Sequence, residues 1–131
     1  MKKIHYIALL LILFSAAGCI STTQPSEKKY TDVSVQQAKE MIDSGDVFIL
    51  DVRTQEEYDT GHIRGSTLIP VQVLKERLDE IPKDKKILVY CRTGRRSTEA
   101  SEILVDNGFK EVYNMKGGIV DWTNAGYEVV K

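Results

Sequence analysis

From Tyr30 onward the chain alternates short unbroken apolar runs with stretches whose apolar residues recur at helical spacing. That alternation restricts the fold more than any other feature. Val47-Phe48-Ile49-Leu50 and Ile87-Leu88-Val89-Tyr90 are continuous, as strands buried on both faces must be. Thr67-Leu68-Ile69, stopped by Pro70, and Val112-Tyr113-Asn114-Met115 read as two further short strands. Ser34 with Gln37 forms a capping-box signature, and Val35, Ala38, Met41 and Ile42 then make an apolar helical stripe closed by Gly45. Thr54 opens a short helix through Tyr58 that Gly61 ends. Val71, Leu74, Leu78 and Ile81 predict another helical face before Pro82. Ala100, Ile103, Leu104 and Asn107 predict a further helix with Gly108 as its stop, and Gly117-Gly118 precede a last one ending at Gly126. The expected fold is therefore α/β, with a mostly parallel sheet. Ligands in such folds gather at the carboxyl ends of strands. Cys91 stands at that end of the Ile87–Tyr90 strand.

The first thirty residues follow different rules. Lys2 and Lys3 precede 16 uncharged residues, Ile4 to Cys19, and small residues close the run. This is the layout of a secretory signal peptide, and the run is short for a membrane span, which needs about 20 residues. Ala16-Ala17-Gly18-Cys19 resembles a lipobox, with Ala16 where Leu is more usual. That resemblance implies cleavage before Cys19, lipid attachment to its sulfur, and an exported, membrane-anchored protein facing the periplasm or cell exterior. An uncleaved signal anchor is the alternative. The expected organisation is a leader over 1–18, a flexible Ser/Thr/Gln/Pro/Lys tether over 19–29, and one domain over 30–131. The formal charge of −1 is asymmetric, because the chain from Tyr30 carries 14 Lys+Arg against 18 Asp+Glu, or −4. A mildly acidic domain lacks the basic footprint that nucleic-acid binding requires. The two cysteines, one at the leader and one in the domain, make a poor disulfide staple.

The chemistry concentrates in Cys91-Arg92-Thr93-Gly94-Arg95-Arg96-Ser97. A loop entering a helix turns unpaired N–H groups inward and adds the positive end of the helix dipole. Both favour a thiolate over a thiol, and Gly94 permits the positive φ that curls the loop around the sulfur. Arg92, Arg95 and Arg96 add charge at a helix start, where cations oppose the dipole unless an anion compensates. They are candidate contacts for an anionic substrate, with Thr93 and Ser97 supplying hydroxyls. A buried, inert thiol beside a solvated helix start is the competing reading.

On these residues the chain resembles the rhodanese family. Val47 to Pro70, containing FILDVRTQEEYDTGHIRGSTLIP, resembles the family's first signature block, and Ile87 to Ser97 resembles its active-site block. Gly108 to Val129, with Gly117-Gly118, Trp122 and Gly126-Tyr127, resembles its closing block. The resemblance implies a three-layer fold with about five short strands and helices on both faces. It also implies a Cys91 persulfide carrying sulfur from a small anionic donor, such as thiosulfate, to cyanide or a thiol, without a metal or organic cofactor. Sulfurtransferases of this superfamily have a six-residue loop, and the related phosphatases carry one residue more, ending Cys-x5-Arg. Here Arg96 completes Cys-x4-Arg and Ser97 follows.

Asp51 and Arg53 end the first strand and are expected to support the site, as electrostatic aids or as a buried ion pair bracing the loop. His62 and Trp122 are read as structural, and no Cys/His set has zinc-ligand spacing. Two other functions stay open: a non-enzymatic rhodanese-like module that senses sulfide or redox state or binds a partner, and phosphatase or arsenate reductase chemistry.

Overall fold

The computed structural model describes residues 27–131 together with Gly18. The rest of the expected leader, and Cys19 with its proposed lipid, lie outside the described residues.

Five strands form one sheet: β1 (Thr31–Val33), β2 (Val47–Asp51), β3 (Thr67–Leu68), β4 (Lys86–Tyr90) and β5 (Val112–Met115). Their order is β1-β5-β4-β2-β3, and every pairing between them is parallel. Four α-helices cover the sheet: α1 (Val35–Ser44), α2 (Gln55–Thr60), α3 (Arg95–Asp106) and α4 (Gly118–Asn124). The continuous apolar runs are continuous because the sheet is covered twice. Ile87 and Val89 of β4 join Leu104, Ala100 and Leu74 in one core. Leu88 and Tyr90 point the other way, into a second core with Ala38, Met115 and Trp122. β2, β4 and β5 therefore contribute to both layers, as a strand's period of two requires. The expected three-layer α/β architecture is what the chain forms.

Local signals place most boundaries. Ser34 Oγ accepts from the Gln37 amide while the Gln37 side chain accepts from the Ser34 amide, and Gly45 ends α1 in the left-handed region. Thr54 and Glu57 make the same reciprocal box at the start of α2.

Two expectations need correcting. The face of Val71, Leu74, Leu78 and Ile81 is not an α-helix but two 3-10 turns, Val71–Glu76 and Leu78–Glu80, broken at Arg77. Spacing of i, i+3 suits a 3-10 turn, whose side chains superpose every third residue, as well as it suits an α-helix. Val71, Leu74 and Ile81 are buried as expected. β1 has no counterpart in the sequence reading, since Thr-Asp-Val offers one apolar residue. It is an edge strand defined by pairing with β5, Thr31 opposite Tyr113 and Val33 opposite Met115.

Strand order positions the site. The chain leaves β2 for β3 on one side and then returns to lay β4 on the other. Beyond the carboxyl ends of β2 and β4 the connections diverge, which opens a crevice there. Asp51 ends β2, and Cys91 follows β4 directly.

Candidate active site

β4 delivers Cys91 to the start of a tight loop, and α3 begins four residues later at Arg95. Between them Gly94 takes φ of 115°, a conformation open to glycine and costly for other residues. This turn aims backbone N–H groups at the sulfur. The Gly94 amide donates to Cys91 Sγ at 3.0 Å, and Ser97 Oγ lies 3.4 Å from the same atom. Ser97 is fully buried, and its hydroxyl also donates to the Gly94 carbonyl at 3.1 Å. Because a hydroxyl rotates, it can turn to the sulfur once the thiol proton leaves.

Cys91 is 1% exposed. Burial is the largest influence on its ionisation and opposes the thiolate. Against it act the Ser97 hydroxyl and the amides of Ser97, Gly94 and Thr93. Together they prevail, so the thiol lies below its ordinary pKa.

The loop is held from outside by the start of α4. The Ile119 amide donates to the Cys91 carbonyl at 2.9 Å, and the Val120 amide to the Arg92 carbonyl at 3.2 Å. Such close approach requires Gly118. A Cβ there would stand 2.3 Å from the Arg92 carbonyl oxygen and 2.6 Å from that of Cys91. With those carbonyls bound to α4, the neighbouring amides stay turned toward the sulfur.

Asp51 and Arg53 form the brace. Asp51 is fully buried and Arg53 is 3% exposed. Arg53 Nη2 donates to Asp51 Oδ2 at 2.7 Å and to the Gly61 carbonyl at 2.8 Å, while Nε donates to Asp51 Oδ1 at 3.0 Å. The guanidinium lies 5.5 Å from the centre of the Tyr90 ring. Tyr90, immediately before Cys91, receives the Ile63 amide on its hydroxyl, and burial holds its phenol protonated. The pair thus locks the ends of β2 and β4 together.

The arginines of the loop do not act as a group. Arg92 and Arg95 are exposed, and neither side chain makes a hydrogen bond among the described residues. Arg96, expected to contact substrate, is instead paired with Glu57 of α2 through Nη1–Oε1 at 2.6 Å and Nη2–Oε2 at 2.9 Å. Glu57 escaped the sequence reading because its partner lies 39 positions away. Only its place in the Thr54 capping box could have marked it. His62 stacks on Tyr58 and sits 2.9 Å from the Tyr58 carbonyl through Nδ1, and Trp122 is buried, donating to the Glu128 carbonyl. Both make contacts within the fold.

A cleft of about 460 Å³ adjoins the loop, with Arg53, Glu57, Arg92, Ile119, Val120 and Val129 among its lining. Cys91 does not line it.

Residues 34–125 match the rhodanese-like domain family. A sulfurtransferase from Allochromatium vinosum is 36% identical over 93 residues, covering 71% of this chain and 87% of that protein. The thiosulfate sulfurtransferase GlpE of Coxiella burnetii is 37% identical over the same shares. Among solved structures, a rhodanese-related protein from Thermoplasma volcanium superposes with a TM-score of 0.72 at 35% identity, covering 77% of this chain and 98% of that one. A match of this extent, on a parallel sheet that ends in a cysteine loop, establishes that the chain belongs to the rhodanese family as a rhodanese-like domain.

Proposed function

We propose that the protein is a sulfurtransferase of the thiosulfate type, carrying sulfane sulfur on Cys91. The observation that supports this most is the sulfur itself, buried within a ring of inward amides that favour its ionised form. Cys91 thiolate attacks the outer sulfur of thiosulfate. A bond forms between Sγ and that sulfur, the donor S–S bond breaks, and its electron pair leaves on sulfite. The loop amides that held the thiolate then face the negative terminal sulfur of the persulfide. Cyanide or a thiolate takes this sulfur and returns Cys91 as thiolate, which makes the kinetics ping-pong. The hydroxyl and amides that favour the thiolate lessen the need for a general base. That Arg92 is exposed and lines the cleft beside the loop supports its role in receiving the anionic donor.

The relatives named sulfurtransferase support this reading. So does the six-residue loop from Cys91 to Arg96, which encloses a single sulfur more closely than a phosphate with its own oxygens. Incubation with thiosulfate should add about 32 Da to the protein, one persulfide sulfur, and cyanide should remove it as thiocyanate. Cys91→Ser should abolish both. An increment that survives in the variant would place the sulfur elsewhere, and an aryl phosphate turned over faster than thiosulfate would favour the phosphatase alternative.

The leader supports a further proposal, that the domain works outside the cytoplasm on a lipid anchor at Cys19. Cys19→Ala should then release the protein from membranes with transfer activity intact. Retention at the parental level would rule the anchor out.

A further inference from the structure

Arg96 is the one arginine of the loop whose side chain is paired among the described residues: both terminal nitrogens of its guanidinium donate to one carboxylate, that of Glu57. Bidentate pairing of this kind is the strong form of the Arg–carboxylate contact. The two side chains are 21% and 27% exposed, so solvent screens the pair less than a surface one. Glu57 also lines the cleft beside the loop, and Arg96 does not. The carboxylate therefore stands on the cleft side of the pair, beside Arg53 and Arg92 of the same lining, and an anion entering there meets Arg96 only behind its counter-charge. Glu57 is anchored independently, since Oε1 also accepts from Thr54 Oγ1 at 3.2 Å and from the Thr54 amide. Arg96 cannot draw it away without breaking the cap of α2.

We infer that Glu57 is a specificity-determining residue: by holding Arg96 it withholds that guanidinium from a phosphate whose oxygens sit inside the Cys91 loop, whereas thiosulfate, itself a tetrahedral oxyanion, presents only its outer sulfur to Cys91 and keeps its oxygens outside the loop. The inference takes Cys91 as the sulfur carrier of the proposed function and adds what keeps the same loop from retaining phosphate. Discrimination here comes from removing a contact the competitor would use, as well as from shaping the loop for sulfur. Arrangement and charge both point this way. Arg92 and Arg95, free and exposed, can still steer an anionic donor toward the loop. Close contact at the sulfur falls to uncharged amides and Ser97, enough for one sulfur and weak for a phosphate dianion. The Arg96 ion pair holds the Glu57 carboxyl at about 2, so the clamp stays closed over the whole working pH range.

The test needs no turnover. Alkylation of Cys91 by iodoacetamide is followed on the Cys91 peptide of the full chain against rising inorganic phosphate. Glu57→Gln keeps an Oε1 for the capping box, where Gln serves as well as Glu, and removes only the charge. Phosphate should protect Cys91 in this variant at concentrations about tenfold lower than in the parent. Adding Arg96→Ala should cancel the gain. Coincident protection curves for parent and Glu57→Gln, or a gain that survives removal of Arg96, would overturn the inference. The parent provides a check independent of folding in the variants: its Arg96 guanidinium resonance should not move on phosphate titration, and a shift would show that Arg96 already binds the anion. A parent that fails to transfer sulfur while Glu57→Gln gains protection would sink the sulfurtransferase reading and leave the Arg96 clamp standing. Normal transfer with unchanged protection would do the reverse.

Discussion

A methyl group added at Gly118 meets two carbonyl oxygens of the cysteine loop, whereas one added at Gly94 meets only the Gly117 nitrogen at an ordinary 3.7 Å. The first glycine is required for space and the second for its φ of 115°. Gly118→Ala should push α4 off the loop and lower sulfur transfer by more than about tenfold, since misplacing catalytic groups by an ångström can cost far more. Gly94→Ala should cost about 1–2 kcal/mol of stability through backbone strain, read by chemical denaturation, and its amide should no longer reach the Cys91 sulfur. Glu57 gives a pH dependence. Its carboxyl falls from 4.5 to about 2 chiefly through its hydrogen bonds to Arg96, with burial opposing. A folded-state pKa below the unfolded value stabilises fully above the unfolded one and is lost as protonation closes in. The thermal midpoint should therefore decline between pH 4.5 and about 2, and Glu57→Gln should remove part of that slope.

Elements whose determinants are local were legible in the sequence. The continuous runs of β2 and β4 follow from burial on two faces, and α1 from a capping box, an apolar stripe and a terminal glycine. Ser34→Ala should cost about 1 kcal/mol in thermal or denaturant unfolding, the usual worth of such a cap. Elements whose determinants are distant were not legible. β1 exists because β5 offers it an edge, and nothing in Thr-Asp-Val announces a strand. The Val71–Glu80 turns share their spacing with an α-helix, and the break at Arg77 leaves no mark in that spacing. In the site, Cys91, the Gly94 turn and the Ser97 hydroxyl could be read from strand, loop and helix start in succession. The pairing of Arg96 with α2 and the docking of α4 on the loop could not, because each joins segments far apart in the chain.

At the scale of the whole molecule, the site is the place where the carboxyl ends of the central strands are tied off. The ends of β2 and β4 are locked by the buried Asp51–Arg53 pair, and the starts of α3 and α4 close over Cys91 from two sides. Such a pair costs much to break from one side only. Arg53→Ala leaves a buried carboxylate unmatched and should lower the unfolding free energy by about 3–5 kcal/mol. The loop should loosen with it, so transfer should decline even under conditions where the variant remains folded. All these contacts converge on one property, the acidity of a single thiol. The direct measurement is the pH titration of Cys91, by thiolate absorbance or alkylation rate, with the Cys91→Ser variant subtracted to remove Cys19. The account requires a midpoint below that of an ordinary thiol, and a bound sulfur after thiosulfate. A midpoint at or above the ordinary value, with no sulfur taken up, would contradict it.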